Sequence, residues 1–206
     1  MMSIMVTFWL FVAFFGVIGA LRGWAKELLV IFSVILALFI VNVFVDFDKV
    51  DFIKPFSTWV NPLTPEIMEN STIEEGKTIF SSLPMGSQEE LTTQFWVRAG
   101  LVIALTFFGY QTPRIASFLD RKTRSDQIQD VLFGGVLGAI NGYMIMGTLW
   151  AYMHSAYYLF DAISSPVIGD KAWEMVNYLP PSMMGSGIGL FLAVGVSFLF
   201  VLVVFI

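Results

Sequence analysis

The sequence predicts an all-α membrane protein, a bundle of four or five transmembrane helices with short interfacial helices in its outward loops. Two observations predict it. Apolar residues make up 57% of the 206 and charged residues only 13%, against about 45–50% and about 25% in a typical soluble domain. The charges are also clustered. They leave uncharged runs of the length a helix needs to cross lipid, about 20 residues.

The elements follow in order along a single membrane domain, 1–206. A first span is predicted over 3–21, and its opening Met-Met-Ser-Ile-Met lacks the positive charge of a cleaved signal peptide. The polar stretch from Arg22 to Glu27 interrupts, and a second span is predicted over 28–45. A third runs over 90–111 and stops before Pro113, and a fourth over 131–153. A fifth apolar run, 187–206, is long enough to span, although a segment lying along the membrane has the same composition.

The connections are polar. Segment 46–94 holds Asp46, Asp48, Asp51, Glu66, Glu69, Glu74, Glu75, Glu89 and Glu90 against Lys49, Lys54 and Lys77. Thr64-Pro65 is a cap and first-turn pair for a short helix. Ser87 and Glu90 have capping-box spacing at the start of the third span. Asn70-Ser71-Thr72 is a glycosylation sequon, relevant only in a secretory pathway. Segment 154–186 is predicted as an interfacial stretch with a short helix over 171–179, capped by Asp170 and stopped by Pro180-Pro181. Tyr157, Tyr158, Trp173 and Tyr178 suit an aromatic belt there.

Basic residues in short loops set orientation. Arg22, Lys26, Arg114, Arg121, Lys122 and Arg124 crowd the connections after the first and third spans. Those connections are expected in the cytoplasm, with the N-terminus and both longer polar segments outside. The net charge of −5 and the lack of a basic surface exclude a nucleic-acid partner. The expected partners are the bilayer and other membrane subunits or further copies of the chain.

The most informative pattern is glycine spacing. Gly16-Val17-Ile18-Gly19-Ala20-Leu21-Arg22-Gly23-Trp24 is echoed by Gly135-Val136-Leu137-Gly138-Ala139-Ile140-Asn141-Gly142-Tyr143. Positions i, i+3 and i+7 share one helical face, so Gly16, Gly19 and Gly23, and Gly135, Gly138 and Gly142, form two small-residue stripes. In lipid such stripes let helix backbones approach closely. The echo reads either as two independent packing stripes or as an internal duplication of the kind transporters carry. Ser186, Gly189, Ala193 and Ser197 make a weaker stripe in the fifth run.

Few residues could carry chemistry, and nothing reads as an enzyme active site. With no cysteine and one histidine, thiolate and multi-histidine metal sites are excluded. Arg22 and Glu27 read either as an anchor with a local salt bridge or as a buried pair lining a path. Asn141 falls within a span, where an amide needs an interhelical partner. His154, at the outer end of the fourth span, is a weak candidate ligand for haem or chlorophyll. Pairing it with Asp161 gives only a poor enzymatic site. No cofactor is predicted, whereas bound lipid is expected.

Gly19, Arg22-Gly23 and Lys26-Glu27-Leu28 between two apolar runs resemble the opening of the bacterial colicin V production protein family. Asp130-Val131-Leu132-Phe133-Gly134-Gly135 with Gly138 and Gly142 resembles that family's second glycine-rich helix. The resemblance covers about 5–45 and 95–153. It implies a four-helix inner-membrane protein connected with toxin export and envelope phenotypes, without a settled biochemical activity. This chain departs from the pattern in Asn141, where a basic residue is common, in the long 46–94 insert and in the fifth run. The functions implied are a scaffold or accessory subunit of a membrane complex, or a channel or transporter component in export.

Overall fold

The computed structural model describes residues 3–42, 85–111, 127–160, 163, 166, 169–183 and 187–205. Most of these residues are helical, and there is no β-strand among them. In order they form α1 (Ile4–Arg22), α2 (Trp24–Ile40), α3 (Met85–Tyr110), α4 (Gln127–Ser155), α5 (Lys171–Val176), α6 (Pro180–Met183) and α7 (Gly187–Phe205). Among the described residues three helices are long and apolar enough to cross a membrane: α1, the Leu91–Tyr110 part of α3, and the Ile128–Ser155 part of α4.

The break between α1 and α2 is shorter than the polar stretch from Arg22 to Glu27 suggests. Only Gly23 leaves the helix, at φ 86° and ψ 156°. That region of backbone space is open to glycine and closed to other residues. The helix restarts at once because its cap comes from elsewhere: the Asp130 carboxylate of α4 accepts the Trp24 N–H at 3.1 Å. Lys26 and Glu27 therefore belong to α2, and the predicted end of that span, at 45, lies outside the described residues.

At 29 residues, α4 is the longest of the described helices and reaches about 43 Å at 1.5 Å per residue. α1, α2, α3, α5 and α6 pack against it. α1 lies antiparallel to it, since Gly16 faces Gly135 and Ala139 at one end while Phe8 meets Tyr143 and Trp150 at the other. The two glycine stripes therefore pack on each other. A Cβ on Gly19 would stand 2.7 Å from the Gly138 Cα, and one on Gly142 would stand 3.0 Å from the Val12 Cα. The first distance is too short for a real side chain and the second is tighter than nearly all, so each glycine is where the partner backbone passes.

On the other side, α2 packs between α3 and α4. Val30, Val34, Leu38, Val102 and Ile145 are buried in this seam, and Gly109 of α3 makes room for Ser33. α7 lies along α2 in the opposite direction, with Phe39 against Phe191 and Phe32 against Phe198. Ala193 of its weak stripe packs on the same core, while Gly195 faces open space.

A second core joins Phe8, Trp150, Tyr158, Val176 and Leu179 at the far end of α1 and α4. Here several expectations are corrected. The short helix predicted over 171–179 ends at Val176, before the prolines, and Pro180-Pro181 instead open the next helix, α6, where proline suits the first turn. Pro180 itself seats against Gly147 of α4. Asp170 stands at the cap position of α5 but makes no side-chain cap bond. Tyr158 is buried and so is not part of an aromatic belt, whereas Tyr178 is exposed. Tyr157 and Tyr158 both take φ of 54°, and the Tyr158 N–H closes back on the Met153 carbonyl at 2.9 Å. This closes α4 in the way a glycine usually does. α3 is already helical at Met85, so Ser87 lies inside it. The Thr64-Pro65 helix, the Asn70 sequon, Asp161 and the basic residues from Arg114 to Arg124 fall outside the described residues.

Candidate functional site

The residues singled out for chemistry meet where α1 ends, α2 begins and α3 ends, against the middle of α4. Glu27 is the centre, with 0% of it exposed. It faces inward because its position in α2 puts it on the stripe that continues through Val30 and Val34. Its Oε1 accepts from the Arg22 Nη1 at 2.8 Å. Its Oε2 accepts from the Asn141 Nδ2 at 2.7 Å, and the Tyr110 hydroxyl approaches the same oxygen at 3.5 Å. The Asn141 Nδ2 also reaches the Glu27 main-chain carbonyl at 3.0 Å.

Arg22 is held independently of Glu27. Its Nη2 donates to the Tyr110 carbonyl at 3.1 Å, and its guanidinium lies 4.3 Å from the centre of the Tyr110 ring. That distance is within cation–π range. Its side chain keeps 24% exposure, so the cluster runs from an accessible cation to an enclosed carboxylate. Removing a carboxylate from water is expensive, and only close, donor-rich geometry offsets it.

Asn141 lies fourteen residues from either end of α4 and is fully buried. Its amide nitrogen is doubly engaged, but its Oδ1 has no hydrogen-bond partner. The Thr106 hydroxyl, one turn before Tyr110 on α3, is buried and unpartnered as well. A buried polar atom without a partner is unusual and calls for a physical explanation.

Sequence reasoning selected Arg22, Glu27 and Asn141, and the fold brings all three together. It did not select Tyr110 or Asp130. Tyr110 is the last residue of an apolar run, and its role comes from a carbonyl and a ring face that have no sequence signature. Asp130 offered a weak signal, as the lone acid next to the Gly134-Gly135 pair. Gly16, Gly19, Gly23, Gly135, Gly138 and Gly142 frame the cluster by setting the α1–α4 distance.

No family model, curated protein or solved structure matches the chain. The site must be read from its own geometry.

His154 stands apart, at the other end of α4. It is buried, and its Nδ1 lies 3.1 Å from the Tyr158 hydroxyl. That hydroxyl also accepts from the Trp150 Nε1 at 3.0 Å. Because the indole N–H only donates, the phenol proton is free to point at His154, whose Nδ1 then accepts. Trp173 of α5 packs edge-on against the imidazole. Burial pushes the Tyr158 phenol well above the usual tyrosine range. The arrangement ties α5 to α4. Among the described residues no group of three or more His, Cys, Asp or Glu side chains is placed to hold a metal.

Proposed function

We propose that this chain is a multi-pass protein of the bacterial inner membrane that works as a non-catalytic scaffold or accessory subunit of a membrane complex. In this reading four or five helices cross the bilayer, with the N-terminus and the long polar segments outside. The observation that carries it is the direction in which the side chains face. Arg22, Glu27, Tyr110 and Asn141 bond to one another inside the helical body. The outer faces of α1 and α4 present Leu10, Phe14, Val17, Leu132 and Val136, suited to contact with acyl chains and neighbouring helices. The resemblance to the colicin V production family points the same way, and bound lipid fits such a surface. Extraction of the tagged full chain in mild detergent tests this. A partner subunit retained at fixed stoichiometry is expected, and a lone monomer that nonetheless complements function counts against it.

A second reading, a channel or transporter component, is favoured by one observation, the carboxylate of Glu27 buried beside Asn141. Ionisable groups inside membranes often mark ion or substrate paths. Flux through the protein in liposomes that falls on Asn141→Leu supports this reading, and absence of flux removes it.

A further inference from the structure

We propose that a cavity between the start of α1 and the end of α4 holds an acyl chain of a bilayer phospholipid. The inference rests on the membrane reading above and adds to it a defined seat for one lipid tail. The cavity measures about 210 Å³ and is part-enclosed. Ile4, Thr7 and Phe8 line it from α1, and Met146, Leu149 and Met153 from α4. Its origin lies in the helix face that joins the two. Gly135, Gly138 and Gly142 let the α1 backbone sit close on α4. Steps of three and four residues carry the same face on to Met146, Leu149 and Met153. There large, half-buried side chains replace glycine. The two backbones cannot close in the same way, and a gap is left between them.

The walls decide what can enter. The Thr7 hydroxyl donates to the Ser3 carbonyl at 3.2 Å. The indole N–H of Trp150, which also lines the cavity, donates to the Tyr158 hydroxyl at 3.0 Å. Both side-chain protons are thus spent within the protein. Apolar cavities of about 150 Å³ stay dry and take small hydrocarbons, whereas a polar ligand would leave its own groups unbonded here. Two methionines in the wall can adapt to a chain of varying shape. The bilayer is the source of such a chain, because α1 and α4 are both long and apolar enough to cross it. Leu10, one turn along α1 from Thr7, is exposed, as is Val6 beside it. The margin of the cavity therefore continues into the outer face of α1, where acyl chains lie. Ile4 is the first residue of α1, and Phe8 lies about 6 Å along the helix from it. The cavity is thus level with the part of a tail nearest its headgroup.

Photolabelling of the full chain in phosphatidylcholine vesicles tests the site. The probe is a phosphatidylcholine with a photoreactive diazirine near the carboxyl end of one tail, and mass spectrometry locates the labelled residues. Phe8 is buried and lines the cavity, so a tail in that seat should mark it. Label is expected on Phe8 and Met153 as well as on the outward Val6 and Leu10. Leu149→Trp, which fills the cavity, should lower the label on Phe8 and Met153 several-fold and leave Val6 and Leu10 unchanged. Met146→Phe fills the same space from one turn away, and serves if circular dichroism shows Leu149→Trp to be misfolded. Label confined to Val6 and Leu10 in the unaltered chain overturns the proposal, and so does label on Phe8 that a filled cavity leaves in place. Either result spares the membrane reading. A chain that an alkaline carbonate wash strips from the vesicles overturns that reading and this site with it.

Discussion

At the scale of the residue, a polar group enclosed by helices persists only if its neighbours supply what water did. Glu27 has a cation, an amide and a phenol around it, and each partner comes from a different helix. Arg22→Met leaves the carboxylate enclosed with weaker partners, and a loss of about 3 kcal/mol is expected, measured by denaturation in mixed micelles. Asn141→Leu removes two hydrogen bonds and relieves the orphan Oδ1. Its cost should be smaller, about 1–2 kcal/mol. If the two residues act through Glu27, the double variant loses less than the sum of the singles, because they share one partner. Strict additivity would mean that they are not coupled. Gly23→Ala tests the neighbouring backbone. At its φ and ψ a side chain is strained by about 1–3 kcal/mol, and the Asp130 carboxylate stands 2.8 Å from where the new Cβ must go.

At the scale of the element, the described glycines divide by what lies opposite them. Gly19, Gly138 and Gly142 sit where another backbone passes, while Gly100 of α3 has nothing within 4 Å. The same substitution should therefore have opposite signs. Gly138→Ala is expected to lower the melting temperature sharply. Gly100→Ala should leave it unchanged or raise it, since alanine is favoured over glycine in a helix by about 1 kcal/mol. A thermal scan of both variants decides this.

Much of this scale is legible in the sequence, since the glycine stripes show at i, i+3 and i+7 and long apolar runs announce helices. The pairing of one stripe with the other is not legible, because spacing names a face and not its partner. The cap of α2 is hidden for the same reason: its acid, Asp130, comes from 106 residues along the chain. Tyr158 misleads for a different reason. A tyrosine beside a helix end suits an interface as well as a core, and only the Trp150 N–H and His154 decide which.

At the scale of the whole molecule, α4 organises the rest. One end of it holds Asp130 under the α1–α2 turn, the middle holds Asn141 under Glu27, and the far end holds His154 under α5. If the bundle crosses a bilayer, its two ends lie in different compartments. The chain has no cysteine, so single cysteines can be introduced without background. A cysteine at Gln111 should react with an impermeant maleimide only from the cytoplasmic side of oriented vesicles, and one at Tyr178 only from the outside. Labelling of both from one side would reject the proposed orientation.

The close seat of α1 on α4 is the contact on which the site, the fold and the proposed function all rest. Cysteines in place of Gly16 and Ala139 test it most directly. The Gly16 Cβ would lie 3.5 Å from the Ala139 Cβ, within the roughly 3.5–4.5 Å that a disulfide requires. In native membranes the Gly16→Cys/Ala139→Cys pair should cross-link readily under mild oxidation, while Val17→Cys/Ala139→Cys, with Val17 facing outward, should not. Cross-linking of the Val17 pair in preference to the Gly16 pair would contradict the glycine-to-glycine packing.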